Sequence, residues 1–210
     1  MRRRLLPVAL TLLLASGAHA QQAESSIPPP RDVAYAGTIR LDIDATNLSQ
    51  RIFKIRQTIP AQAGTLTLLY PMWVPGGHSP RNAIDKIAGL TFKANGTKLE
   101  WKRDPLDVAA FHVTVPEGVS EITAEFDFLT ATGTGQGRVV MTPNMLNLQF
   151  LSTVLYPAGH YASKILFDPR VTYPAGWTAQ TPPHEQPRSG DTAAHQNVPL
   201  DILVDSPVYA

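Results

Sequence analysis

The chain contains no cysteine at all. That single absence removes disulfides, thiolate metal sites and cysteine nucleophiles together, so stability has to come from packing. Charge is also sparse: only 17% of the 210 residues are Asp, Glu, Lys or Arg. No basic stripe alternates with aromatics, which excludes nucleic acid as a partner class. Beyond His19, the histidines His78, His112, His160, His184 and His195 form neither H-x-H nor H-x-x-x-H. Those spacings would place two imidazoles on one strand face or one helix turn. His184-Glu185 opens like a zinc-binding helix, but the second histidine is missing and Pro187 would break the helix needed to carry it. The sequence therefore predicts no metal site in this chain. Thr130 to Gly137 is glycine-rich, yet no Gly-Lys-Ser/Thr follows, so it is no phosphate loop. Without a G-x-S-x-G elbow, Ser79 beside His78 reads as a turn serine.

What is present first is an export address. Arg2, Arg3 and Arg4 precede an apolar run from Leu5 to Ala15, and Ala18-His19-Ala20 supplies a small-x-small cleavage site. The expectation is a signal peptide over 1–20, cut after Ala20, and a periplasmic or secreted product with no membrane anchor left. The whole sequence has 18 Lys and Arg against 17 Asp and Glu, and losing the three arginines turns the balance to −2. Residues 21–32, with Pro28-Pro29-Pro30, read as a flexible leader.

From Val33 the pattern changes to short alternating segments. Ile39, Leu41 and Ile43 alternate with Arg40, Asp42 and Asp44, the period of a half-buried strand. Phe53, Ile55 and Ile59 do the same before Pro60, and Thr65 to Tyr70 forms a third strand. Asn95-Gly96 between Gly89–Ala94 and Thr97–Lys102 signals a hairpin, with Phe92, Leu99 and Trp101 inward. Val108–Val115 and Glu121–Phe128 suggest a second hairpin around Pro116-Glu117-Gly118. Met141 to Tyr156 is a buried strand or a short helix. Tyr161 to Phe167 reads as a strand closed by Asp168-Pro169, and 180–196 as a long surface loop. The fold class is all-β, an antiparallel sandwich with long surface loops, occupying residues 33–210.

The segment around which the rest is arranged is Leu69–Asn82, LYPMWVPGGHSPRN. Its prolines force extended backbone before them, and Gly76-Gly77 permits a turn or a close backbone approach. Trp73, Pro75, Gly76, Gly77, His78 and Arg81 make it a candidate recognition loop. The alternative is a tight corner whose Trp73 plugs the core. Tyr156, His160 and Tyr161 form a second aromatic, Gly/Pro-punctuated corner that lines the same surface or simply turns the chain. Asp104 and Asp107 flank Pro105 as turn formers.

Taken together, LYPMWVPGGHSPRN, NLQFLSTVLYPAGHYASKI, YPAGW and the final LVDSPVYA resemble the N-terminal domain of the glycyl aminopeptidase family of zinc metallopeptidases. These are PDZ-containing relatives of leukotriene-A hydrolase-type aminopeptidases. The resemblance runs from about Val33 to Ala210 and rests on a W-x-P-G corner, a Y-P-A-G-W turn and a D-S-P strand. It implies a β-sandwich that precedes a thermolysin-like catalytic domain, with peptides as substrates. The zinc of that family is held by an H-E-x-x-H helix, which this chain lacks, so the chain alone is expected to be inactive. Relatives carry Ser where Gly77 stands, and no catalytic residue carries over. What the resemblance implies is a role: contact with the catalytic domain, walling its cleft, through the Trp73 loop. An apolar patch is then expected near Val198 to Tyr209. The rival expectation is a stand-alone module that holds a peptide or glycan at the two aromatic corners.

Overall fold

A computed structural model describes residues 26–73, 76–133, 135–180 and 190–210. The signal-peptide expectation, Pro75 and His184 lie outside the described residues. In chain order the strands are β1 (Thr38–Asp44), β2 (Ile52–Pro60), β3 (Gly64–Leu69), β4 (Ile87–Ala94), β5 (Thr97–Leu99), β6 (Trp101–Arg103), β7 (Ala110–Val115) and β8 (Glu121–Leu129). Then come β9 (Val140–Met141), β10 (Leu146–Gln149), β11 (Tyr156–Pro157), β12 (Leu166–Thr172), β13 (Thr192–Ala194), β14 (Val198–Pro199) and β15 (Pro207–Tyr209). The helix α1 (Leu200–Val204) sits between the last two.

One large sheet runs β13-β12-β1-β2-β8-β4-β5, with β14 also on β12; β11-β3-β7-β6 and β15-β10-β9 form two smaller sheets. A single core joins them. Ile39, Leu41, Phe53, Phe92, Ala124 and Phe167 of the large sheet meet Leu68, Phe111, Val113, Leu148 and Val208 of the smaller ones, all buried. The alternation read in the sequence is what makes this possible, because each strand offers one apolar face. The all-β sandwich is thus the observed architecture. It is antiparallel throughout its named pairs except for β1 with β12, where Thr38 pairs Leu166 and Asp44 pairs Thr172 in parallel.

Several local expectations need correction. Val108–Val115 and Glu121–Phe128 are not a hairpin: β7 pairs β3 and β6, whereas β8 pairs β2 and β4. The Pro116–Gly118 turn carries the chain from one layer to the other, so Val113 and Ile122 share a core rather than a ladder. The Asn95-Gly96 hairpin does form, with φ of 48° and 81° at the two residues and Phe92 opposite Leu99. Its second strand stops at Leu99, however, and Trp101 crosses to the other layer. There it stacks edge-on against both Phe92 and Phe111, at 6.0 and 5.6 Å.

The Tyr161–Phe167 strand is displaced. Ala162–Lys164 is a 3-10 turn, and β12 passes straight through Asp168-Pro169. Pro169 has no N–H to offer, but its carbonyl accepts from the His195 amide at 2.9 Å. Part of the expected 180–196 loop is β13, which pairs β12; residues 181–189 lie outside the described residues. Finally, the leader is fastened from Ser26 onward. The Arg31 amide donates to the Gly159 carbonyl, the Tyr161 amide to the Arg31 carbonyl, and Lys164 pairs Asp32 at 3.0 Å.

Candidate functional site

The 69–82 loop leaves β3 and closes on itself. The Arg81 and Asn82 amides both donate to the Met72 carbonyl, at 2.9 and 3.3 Å, and Trp73 bridges Pro80. The base is locked by two buried polar side chains. Tyr70 is fully buried, donates its hydroxyl to the Ser152 carbonyl, and has its ionisation pushed far up, chiefly by burial. Asn82 donates to the Pro71 and Leu151 carbonyls, both at 2.7 Å, and accepts from the Ser152 hydroxyl at 3.1 Å. Every polar atom of that amide is therefore engaged in holding the loop to the 150–152 turn.

With its base fixed, the loop presents Trp73 outward, 63% exposed. This excludes the core-plug alternative for that indole. Trp73 walls a groove of about 520 Å³ together with Met72, Leu106, Val108, Tyr156 and Val204. Leu106 and Val108 are 71% and 57% exposed, an unusual cost for two aliphatic side chains side by side. Their turn is built by Asp104, which accepts from the Leu106 and Asp107 amides at 2.8 and 2.9 Å. Asp107 in turn accepts from the Ala109 amide, and Arg103 donates to the Val108 carbonyl while lying over the Phe111 ring. The turn-forming role read for Asp104 and Asp107 is what the geometry shows.

Asp104 does more. His112 donates Nε2–H to its carboxylate at 2.8 Å, the Ser26 hydroxyl donates to the same oxygen, and Thr67 hydrogen-bonds His112 Nδ1 at 3.0 Å. The Ser26 hydroxyl, His112, and the Asp107 and Leu106 amides hold the Asp104 carboxyl well below the usual carboxylate range, in that order of effect. Ser, His and Asp thus meet, but not as a catalytic relay. Ser26 lies 3.3 Å from the same ring nitrogen that binds Asp104, so the imidazole does not stand between acid and nucleophile. The cluster is a structural pin for the turn that carries Leu106 and Val108.

The second predicted corner splits. Tyr156 joins the Trp73 groove, with its ionisation raised mainly by burial. His160 instead stacks edge-on against Tyr35 at 5.3 Å and donates Nδ1–H to the Val33 carbonyl at 2.8 Å. Tyr161, 48% exposed, holds Arg31. Within the first loop, Gly76, Gly77 and Arg81 line a different cleft from Trp73, and His78 is exposed. Leu106 and Val108 were missed from sequence, although aliphatics set between Asp104, Pro105 and Asp107 were the available signal. Near the end of the chain, Ile202 and Tyr209 are 46% and 52% exposed, while Val204 and the buried Leu200 line the groove. Among the described residues no three His, Cys, Asp or Glu side chains lie together as metal ligands. They do not fit a zinc ion, and no role of this domain is routed through one. No helix among them is long and apolar enough to cross a membrane.

The architecture is similar to part of two solved peptidase structures. It superposes on an aminopeptidase N family protein from Idiomarina loihiensis with a TM-score of 0.66 and 19% identity, over 82% of this chain and 29% of that one. It also superposes on an M1 zinc metallopeptidase variant from Deinococcus radiodurans, bound to a Tyr-Ser-Ala substrate. There the TM-score is 0.51 and the identity 13%, over 85% of this chain and 42% of that one. The chain thus spans well under half the length of either protein. No curated protein sequence gives a match. The family profile of the Peptidase M61 N-terminal domain matches residues 40–210, and the chain belongs to that family.

Proposed function

We propose that this chain is the non-catalytic front module of an exported M61 aminopeptidase of glycyl-aminopeptidase type, and that its Trp73 groove seats the catalytic domain. The observation that carries this reading is the groove itself. Trp73, Leu106 and Val108 are exposed together on backbone that buried Asn82 and Asp104 hold rigid. A rigid apolar surface of this kind raises the free energy while it faces water and lowers it when covered. Its rim carries one carboxylate, Asp107, which suits an apolar neighbour more than a charged one. In this reading the zinc and the peptide chemistry belong to the catalytic domain, and the module shapes one wall of the cleft that peptides enter.

The test joins gene and protein. The reading frame beyond the Ala210 codon is expected to encode H-E-x-x-H, and the longer product to cover the groove. The chain from Gln21 to Ala210 should then bind an apolar fluorescent dye. Trp73→Ser with Leu106→Ser should abolish that signal, and the longer product should show little of it. A frame without the zinc helix, or equal dye binding by the short and long products, overturns the reading.

A further inference from the structure

The same loop has a second face, and its chemistry is opposite to that of the groove. Gly76, Gly77 and Arg81 line a cleft of about 710 Å³ shared with Lys86, Arg138 and Gln149, floored by Phe128 and Leu151. Three cations look into one space, and among the described residues no Asp or Glu lines it. On the outer face of the large sheet, Lys54, Arg56, Lys93 and Arg170 each pair with a carboxylate. Among the described residues none of Arg81, Lys86 or Arg138 forms an ion pair. Arg81 spends one N–H on the Ser79 hydroxyl at 2.8 Å, and Lys86 donates to the neutral Gln136 carbonyl. Asp85, the neighbour of Lys86, is exposed and lies outside the cleft wall.

Three like charges around an apolar floor repel one another, and a bound anion relieves that repulsion more fully than the surrounding water does. Glycine backbone at Gly76 and Gly137, with φ of +73° and +109°, leaves room for a ligand oxygen to approach the main chain. The Gln149 amide adds a neutral donor beside the guanidinium groups. From these observations we infer that the Arg81–Lys86–Arg138 cleft is a binding site for an oxyanion, supplied by the free carboxylate of a peptide or by inorganic phosphate. The inference does not depend on the groove: a chain that never meets a catalytic domain would still bind the anion.

The test is calorimetric titration of the chain from Gln21 to Ala210 at low ionic strength with three probes. These are N-acetyl-dialanine with a free carboxylate, the same peptide as its amide, and inorganic phosphate. Binding of the free acid but not the amide identifies a peptide end as the source, and binding of phosphate alone identifies the free ion. Removing one charge-assisted contact by Arg138→Gln or Lys86→Gln is expected to weaken binding roughly tenfold. Lys54→Gln, on the paired outer face, should leave it unchanged. Arg138 is exposed, so its variant folds even if Arg81→Gln does not. No binding of either anion, or binding that Arg138→Gln and Lys86→Gln leave intact, overturns the proposal.

Discussion

Gln57 is fully buried in the middle of β2, on the face it shares with Phe53, Ile55 and Ile59. Its side-chain amide spans the two layers. Nε2 donates to the Leu155 carbonyl at 2.9 Å, and Oε1 accepts from the Leu155 amide at 2.7 Å. One side chain thus completes both backbone groups of a residue that no strand partner serves. Gln57→Leu keeps a side chain of similar length and adds apolar contact, yet strands a buried N–H and a buried C=O together. Each such group costs about 1–3 kcal/mol, so the variant should lose about 2–6 kcal/mol in all. For a domain of this size that lowers the thermal midpoint by roughly 4–24 °C. Gln62→Leu, at an exposed position, is the control and should change little. The assay is thermal and urea unfolding followed by circular dichroism, both variants beside the parent. A Gln57→Leu midpoint within about 2 °C of the parent would mean that Leu155 finds other partners, and the argument from stranded backbone groups would fail.

Three further outcomes follow from the same geometry. Gly37 has φ of +92°, and an added Cβ would lie 2.9 Å from the Pro60 ring. Gly37→Ala should therefore cost about 1–3 kcal/mol in urea unfolding, more than Gly118→Ala, whose Cβ would meet open space. The folded state depresses the Asp104 carboxyl, so it favours the charged form. The resulting stability is complete above the ordinary carboxylate value and drains away as pH falls below it toward the folded-state value. The gap between parent and Asp104→Asn urea midpoints should accordingly be widest near neutral pH and narrow below about pH 4; a gap that widens on acidification would refute this. Trp73→Ser should leave the unfolding midpoint within about 0.5 kcal/mol of the parent, because the indole is mostly in water, while reducing dye binding.

Legibility in the sequence followed physical range. Strand faces were readable because alternation is a local property: Ile39, Leu41, Ile43, Phe53 and Phe126 all point where the period of two places them. The Asn95-Gly96 turn was readable for the same reason. Which strands pair was not, since nothing within Pro116–Gly118 distinguishes a hairpin from a passage between layers. Pro169 was read as a stop because its effect depends on a partner, His195, that sits far along the chain. The Trp73 loop stood out through its punctuation, yet its division into an apolar and a basic face depends on Leu106, Val108 and Arg138 arriving from elsewhere. His160 was misplaced for a similar reason. An imidazole next to two tyrosines looks like recognition until Tyr35 and Val33 are seen to occupy it.

The pairing of β1 with β12 has a consequence in time as well as in space. Strand order makes β1 the seam of the large sheet, with β2 on one side and a strand from the far end of the chain on the other. A ribosome must have delivered Leu166–Thr172 before that seam can close, so long-range closure rather than local turn formation sets the pace of folding. Until then β1 presents an open edge, and a chaperone has a long interval in which to hold an extended polypeptide. A chain cut short before Leu166 would keep that edge open permanently and would be expected to aggregate through it.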